Sequence, residues 1–508
     1  MAERRGPAGR KPLFLAIDFG SSHVRAAVGG SAGAPLAAAS RRLKYFVPEG
    51  GPDTAREFDP GTVWGLVCAC VKEAVRESGA RPDQIAGIGV TGQRLGLVLL
   101  DRSGKELYGG PNRDARAIFE GAEIDASHGD AIWRATGHGP AMLLAWSKLL
   151  WFKRQAPAVF ARARTVSGLA DWLVYRMTGV LLMESAQGAD SGMALVATGL
   201  PAAAFMEPLG LSEIDLPPSC EPGTVAGTLK SAAARQLGLR EGVPVVPAGP
   251  DTQAGLAGMG VGEPGTAGVV AGWSAAAQLV TDRPVFDDTR SLWTGRHVIP
   301  KRWVLEGNAG EMGGAYEWLA GLISGGAAPD VFARLDRNAA ATPPGARGAT
   351  AYLGPSFVNM LSVGLRTGGV LFPVPLAFEP PDRGSLARAA LESFAFALRY
   401  NLDRLGLVAG GIGDVTIGGG MVRTRTFREI AAATLRGPVA FGPADATLRG
   451  ALTLAGAGTG DGLQLSHGLA ARRGEARALS PSPASAAEYG GLYDAWCARE
   501  RRVLELEL

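Results

Sequence analysis

The sequence predicts an α/β protein of two lobes, and three observations carry that expectation. At 508 residues the chain exceeds the size at which a single hydrophobic core keeps growing, so it divides. Near its start "FLAIDFGSSHVRAAVGG" (14–30) is two apolar runs joined by Asp18-Phe19-Gly20-Ser21-Ser22. The same plan of strand, small polar turn and strand returns in the second half, where Gly272-Trp273-Ser274 joins "TAGVVA" to "AAAQLVT". Apolar strands and runs of helical period alternate along the rest of the chain.

In order, "PLAAASRRL" supplies a third strand after the opening pair, and "FDPGTVWGLVCACVKEAVRESG" a helix, with Asp59 as N-cap, Pro60 at the first helical position and apolar residues at helical spacing from Val63 to Val75. The strand "IAGIGV" follows, then "GLVLLDRSGKEL", a hairpin turning at Asp101–Gly104. "AWSKLLWFKRQAP" and "GLADWLVYRMTG" read as helices, the second ended by Gly179. "DLPPSCEPGT" reads as an exposed connection. The strand of "VPVVPAGPDTQAGLAGMGVG" runs into Gly249-Pro250-Asp251, and "VTIGGGMVRTRTFREIAAATLRG" is a strand-to-helix junction in the last quarter. Glycine, at 73 residues, is about twice its usual share, from turn chemistry and genomic bias. No short-period repeat is present.

Charge narrows the partners. The 51 Lys and Arg against 48 Asp and Glu leave a formal +3, which gives no electrostatic case for nucleic acid or an anionic membrane and favours a small-molecule ligand. Four cysteines without a CxxC pair and five scattered histidines argue against zinc and against a disulfide framework. A reducing cytoplasm fits best. The basic "MAERRGPAGRKP" lacks an apolar run and reads as a disordered leader (1–11). The longest uncharged stretch, "PGTAGVVAGWSAAAQLVT" (264–281), is broken by glycines and hydroxyls and reads as buried strands, not a membrane span.

Three segments carry candidate chemistry. The first turn is followed by a strand, not a helix, so it is not a dinucleotide fingerprint, and no GxxxxGK[ST] is present. A hairpin can still cradle phosphate: Gly20 permits close backbone approach, Ser21 and Ser22 offer donors, and Asp18 can hold Mg²⁺ directly or through water. An ordinary hairpin that uses Asp and Gly for its turn reads equally well. Asp251, at a strand end near the chain midpoint, suits a carboxylate that takes the proton of a hydroxyl attacking a phosphoryl group; it also suits a helix N-cap, and both can hold. Gly418-Gly419-Gly420 fits a base or ribose lying on bare backbone, and equally a flexible junction.

Taken in this order, "AIDFGSSHVRAAV", "GIGVTGQRLGLVLLD", "NRDARA", "AGPDTQAGLAGMG", "VAGWSAAAQLV", "VTIGGGMVRTRTFREIAAATL" and "DATLRGALTLAGAGTG" resemble the FGGY carbohydrate kinases of the actin, sugar kinase and Hsp70 ATPase superfamily, over essentially the whole chain after residue 12. The resemblance implies a two-lobed actin-like ATPase (ribonuclease H-like) fold with a duplicated mixed-sheet core, an N-terminal sugar-binding and phosphate-loop domain at 12–259 and a C-terminal nucleotide-binding domain at 260–508. It implies ATP and Mg²⁺ between the lobes, with Asp251 as general base and Asp18 positioning the metal. Gly20, Ser21, Ser22 and Arg25 would surround the terminal phosphates, with Gly272 and Ser274 facing them and Gly419 and Gly420 behind the adenosine. Gln93, Arg94, Asp114, Arg116 and Thr252 would line the sugar pocket with Asp251. Such an enzyme is a cytoplasmic protein with a sugar or polyol substrate and no nucleic-acid or membrane partner; a homodimer is one arrangement open to it, and the sequence does not give the oligomeric state.

Two departures bear on function. Relatives carry Gly-Thr in the second phosphate loop, where this chain has Gly272-Trp273, so either Ser274 supplies the hydroxyl or a phosphate contact is lost. At the sugar turn xylulose kinases read Gly-Gln-Met-His-Gly and glycerol kinases Asn-Gln-Arg-Glu, and Gly92-Gln93-Arg94-Leu95-Gly96 matches neither. "EFDPGTVW", "IWRATG", "HVIP" and "GPSFVNM" resemble the branch containing the autoinducer-2 kinases, which act on a linear five-carbon dihydroxy-ketone. The expected reaction is ATP-dependent phosphorylation of a linear five-carbon ketose, deoxyketose or polyol, with a xylulose kinase proper or a sugar-binding sensor as alternatives. A chaperone-type or filament-forming relative would have no need of the set at 93, 94, 114 and 116.

Overall fold

A computed structural model describes residues 12–32, 34–324, 330–353, 368–376, 380–435, 437–460 and 464–504. The leader 1–11 and "GPSFVNM" (354–360) lie outside the described residues. The first sheet has six strands, and five of them matter here: β1 (Leu13–Phe19), β2 (His23–Gly29), β3 (Ala37–Arg42), β4 (Ile85–Gly92) and β5 (Pro244–Pro250). β1 pairs antiparallel with β2, so that Asp18 faces Arg25. β4 runs parallel between β1 and β5, with Gly92 beside both Phe19 and Pro250. The carboxyl ends of β1, β4 and β5 therefore open on one edge, where the following residues supply chemistry.

The second sheet has seven strands, among them β6 (Ala267–Ala271), β7 (Ser274–Thr281), β8 (Trp303–Glu311), β9 (Val415–Gly418) and β10 (Val439–Phe441). β6 and β7 form a tight antiparallel hairpin around Gly272-Trp273, and β8 pairs antiparallel with β7. β6, β9 and β10 are parallel, so the Gly272 turn and Gly419-Gly420 emerge at one end. Each sheet packs its own core: Leu15, Ile17, Val67 and Trp172 are fully buried in the first, and Leu305, Leu391, Ile417 and Phe427 in the second.

Helix α1 (Pro60–Ser78) starts as its sequence dictates: the Thr62 amide donates to Asp59 Oδ1 at 2.6 Å, and Gly79 closes the helix at φ 68°. The hairpin at Asp101–Gly104 and the helices at Ala145–Gln155 and Leu169–Thr178 are also present. The 215–224 connection differs from expectation. Ser219–Cys220 pairs in parallel with Met183–Glu184, and Pro217 and Pro222 are buried, because the segment closes one side of the subdomain around the Trp146 core.

At the centre α2 (Asp251–Gly258) crosses α4 (Ala446–Gly458), with α3 (Arg425–Thr434) behind β9. A Cβ at Gly258 would lie 1.8 Å from the Ala446 carbonyl oxygen, and one at Gly450 would lie 1.8 Å from that of Ala254. The helices touch backbone to backbone, so part of the glycine excess is a packing requirement. Among the described residues no helix is long and apolar enough to cross a membrane, and all four cysteines are free thiols.

Candidate functional site

The first polar turn is built by its own backbone and by neighbours. The Gly20 amide donates to His23 O at 3.0 Å, and Arg25 Nε donates to Asp18 Oδ2 at 2.8 Å. Asp18 is fully buried, and its other oxygen, Oδ1, has no hydrogen-bond partner. A buried acceptor left open suits a cation, and Mg²⁺ is commonly held by one carboxylate together with substrate phosphates and water. Ser21 is held from two sides, its carbonyl by the Tyr45 hydroxyl at 2.9 Å and its Oγ by Asn112 Nδ2 at 2.9 Å. Ser22 Oγ lies 3.0 Å from His23 Nδ1.

Asp251 is the first residue of α2. Pro250 occupies the cap position, so the N-cap alternative for Asp251 does not hold. Burial, and then the negative charge of Asp18, push the Asp251 carboxyl up to about 7, against the pull of Arg94 and Arg25. A carboxyl balanced there can accept a proton near neutral pH. Thr252, half-buried beside it, donates its hydroxyl to Gln253 Oε1.

The turn of Gln93-Arg94-Leu95-Gly96 follows β4. Gln93 Nε2 donates to Gly20 O at 3.1 Å, and its Oε1 accepts the Asn112 amide at 2.9 Å, which ties this turn to the first polar turn. Arg94 reaches the other sheet. Its Nη1 and Nη2 donate to Glu306 on β8 at 2.6 and 2.7 Å, while Asp190 stands 3.4 Å from Nη1. Gln278 Nε2 completes Glu306 at 2.7 Å, and Gln253 Nε2 and His138 approach Asp190 at 2.9 and 3.4 Å. The guanidinium also lies 5.5 Å from the Trp293 ring centroid. Leu95 sits at φ 67°, a left-handed conformation that a leucine adopts only when its surroundings impose it. Here the Lys148 ammonium donates to Leu95 O at 2.8 Å, and the side chain packs on Trp133 and Trp293.

Asp114 and Arg116 occupy a separate buried knot. Arg116 Nε donates to both Asp114 oxygens at 3.0 and 2.8 Å and its Nη2 to Glu57 at 2.7 Å, while the Tyr108 hydroxyl and the Arg56 amide complete Asp114. Both Asp114 oxygens and Arg116 Nε and Nη2 are engaged by each other and by these neighbours, much as Gln93 and Arg94 are engaged by theirs.

On the second sheet, Gly272 and Ser274 flank the hairpin turn, and the Gly313 amide donates to Gly272 O at 3.1 Å. Gly419 has φ 94°, and a Cβ there would lie 2.6 Å from Ala271 O, so this glycine lets β9 end against β6. Gly420 faces open space. Val422, Arg425, Arg428 and Pro443, just beyond it, line a cavity of about 620 Å³.

Asp18, Gln93, Arg94 and Asp251 thus stand together at the carboxyl edge of the first sheet. Glu306, Asp190, Gln278, His138 and Asn112 join them without having been singled out in the sequence. The available signal was a lone Glu in "WVLEGN" and a lone Gln in "AAAQLVT", polar residues inside apolar strands.

Similar proteins agree with this architecture. The chain is 28% identical over 420 residues to the autoinducer-2 kinase of Escherichia coli, covering 80% of this chain and 78% of that protein. It is 27% identical over 467 residues to the autoinducer-2 kinase of Salmonella paratyphi B, covering 88% and 86%. Its fold superposes on the crystal structure of xylulose kinase from Rhodospirillum rubrum with a TM-score of 0.80 and 26% identity, over 97% of this chain and 99% of that one. Residues 13–258 match the N-terminal domain, and residues 267–459 the C-terminal domain, of one family. With two polar hairpins on two mixed α/β sheets and matches to both halves, the chain belongs to the FGGY family of carbohydrate kinases.

Proposed function

We propose that this carbohydrate kinase phosphorylates a linear five-carbon ketose or a deoxy relative of one. ATP is its phosphoryl donor, and Asp251 is the general base. The observation that carries the substrate reading is Leu95, held at φ 67° with its side chain on Trp133 and Trp293. A wall of this kind next to Arg94 favours a methyl or methylene where relatives offer an imidazole or a carboxylate to a hydroxyl. The match to autoinducer-2 kinases supports the same class.

In this reading the triphosphate lies between Gly20-Ser21-Ser22 and Gly272-Ser274, and the adenosine lies against Gly419 and Gly420. Arg25 neutralises Asp18 through one oxygen, which leaves Oδ1 to hold Mg²⁺; the metal would supply charge neutralisation at the phosphates. Gln93 and Arg94 orient the sugar from the end of β4, with Thr252 at its side. Asp251 takes the proton from the attacking hydroxyl, and phosphoryl transfer then needs mainly alignment and charge stabilisation. Asp114 and Arg116 contribute by fixing the 111–116 loop. The lobes divide at about residue 260, near the junction of the two family matches.

The test is a coupled ADP-release screen of the purified protein over ketopentoses, deoxyketoses, aldoses, polyols and glycerol, with Leu95→His alongside. The wild type is expected to show its highest kcat/KM on a deoxyketose, and Leu95→His to shift preference towards D-xylulose. A wild-type preference of about tenfold or more for D-xylulose or glycerol over every other ketose would overturn the substrate reading and leave the kinase assignment intact. No turnover of any sugar, with nucleotide binding retained, would favour a sensor.

A further inference from the structure

The Trp273 ring in the second hairpin does not project freely. A Cβ on Gly314 would lie 2.7 Å from its ring atoms, and the Trp273 carbonyl accepts the Met312 amide at 2.9 Å, so the indole is a fixed platform on the second lobe. Against its face, 4.4 Å from a ring centroid, lies the guanidinium of Arg113, which comes from the first lobe. Arg113 is exposed and makes no ion pair among the described residues. Its backbone is anchored on both sides: Asn112 bonds Ser21 Oγ and Gln93 Oε1, and Asp114 is locked by Arg116, Tyr108 and Arg56. The arginine therefore hangs from a loop tied to the first hairpin and reaches Trp273 of the second, near Tyr45, whose hydroxyl holds Ser21.

We propose that Arg113 contacts the phosphates of the nucleotide. It rests on Trp273 when the cleft is empty and donates to non-bridging oxygens of the triphosphate when the cleft is filled. This inference depends on the reading that ATP lies between the two hairpins. The energetic order favours the switch. An exposed cation–π stack is weak, whereas charge-assisted hydrogen bonds to phosphate are roughly twice as strong as neutral ones, and arginine makes them in pairs. The Trp273 side chain carries no hydroxyl, and Arg113, stacked on it, brings a positive charge to the same part of the loop.

The test measures binding of Mg²⁺ with the non-hydrolysable β,γ-imido analogue of ATP, and of adenosine, to wild type, Arg113→Lys, Arg113→Met and Arg113→Ala. Intrinsic fluorescence of Trp273 is read as the difference from Trp273→Phe. Arg113→Ala and Arg113→Met are expected to weaken the analogue by about tenfold or more and to leave adenosine unchanged, with Arg113→Lys intermediate. The Trp273 signal should change on analogue binding in wild type and not in Arg113→Ala. Methionine keeps the apolar contact with the ring, so rescue by Arg113→Met would assign a packing role and overturn the proposal. Analogue affinity of Arg113→Ala within twofold of wild type would also overturn it, with nucleotide binding by the wild type intact. If the wild type binds no nucleotide, the kinase reading fails first and this inference with it.

Discussion

Arg94 and Glu306, 212 residues apart in sequence, form a two-point ion pair at 2.6 and 2.7 Å that joins the turn after β4 in the first lobe to the central part of β8 in the second. Both side chains are nearly inaccessible, at 9% and 3% exposure. Removing one partner leaves the other buried and charged, so Glu306→Ala should lose about 3–5 kcal/mol of stability. Glu306→Gln, which keeps a hydrogen-bond acceptor, should lose less. Urea denaturation of the two variants checks the order; equal losses would mean that packing and not charge sets the cost.

The Asp251 carboxyl, raised to about 7 by burial and by Asp18, must be ionised to act as a base. The rate at limiting sugar should therefore rise about tenfold per pH unit below 7 and level off above it, and Asp251→Asn should lower kcat by roughly 10² or more. Stopped assays from pH 5 to 9 read both. A profile flat to pH 5, or a near-normal asparagine variant, would remove Asp251 from the role.

Stability should move the opposite way with pH. The folded carboxyl titrates above its unfolded value, so its contribution is fully present below the ordinary aspartate range and is lost as pH rises through about 7. Ligand-free Asp251→Asn should then be more stable than the wild type at pH 8, by on the order of 1 kcal/mol, and should show no such gain at pH 4. Thermal unfolding at the two pH values makes the comparison.

Asp18→Ala removes both the partner of Arg25 and the open Oδ1. The Mg²⁺ concentration needed for half-maximal rate should rise by about tenfold, with sugar affinity measured without nucleotide unchanged. Calorimetric titration with the preferred sugar provides the second readout, and loss of sugar binding there would contradict the metal-positioning role.

Gly419→Ala forces a Cβ to within 2.6 Å of Ala271 O at φ 94°. The end of β9 must shift, and nucleotide affinity should fall by about tenfold together with Tm. Gly420→Ala, facing open space, should leave Tm unchanged. The pair separates backbone strain from a simple loss of glycine.

Much of this fold was legible because its signals are local. The alternation around Asp18 specified a strand on each side of the turn, and Asp59 with Gly79 marked the two ends of α1. The apolar stretch at 264–281 resolved into β6 and β7. What the sequence did not show depends on which distant strand lies opposite. Glu306 is a single charge in an apolar run, and only the register of β7 and β8 sets Gln278 beside it and Arg94 across from it. Asp114 and Arg116 have the residue types of a sugar grip, but Tyr108, Glu57 and Arg56, brought in from elsewhere, engage them. The left-handed backbone of Leu95 is likewise imposed by surrounding packing and has no signature in its neighbours.

β8 carries Glu306 near its middle and Glu311 at its end, where Glu311 pairs with Ser274 of the second hairpin. One strand thus runs from the arginine assigned to the sugar to the loop assigned to the phosphates. Were a sugar at Arg94 to shift this strand, a nucleotide at the second hairpin would meet the shifted strand at its other end. The two affinities are then linked reciprocally: by whatever factor bound sugar tightens the nucleotide, bound nucleotide must tighten the sugar.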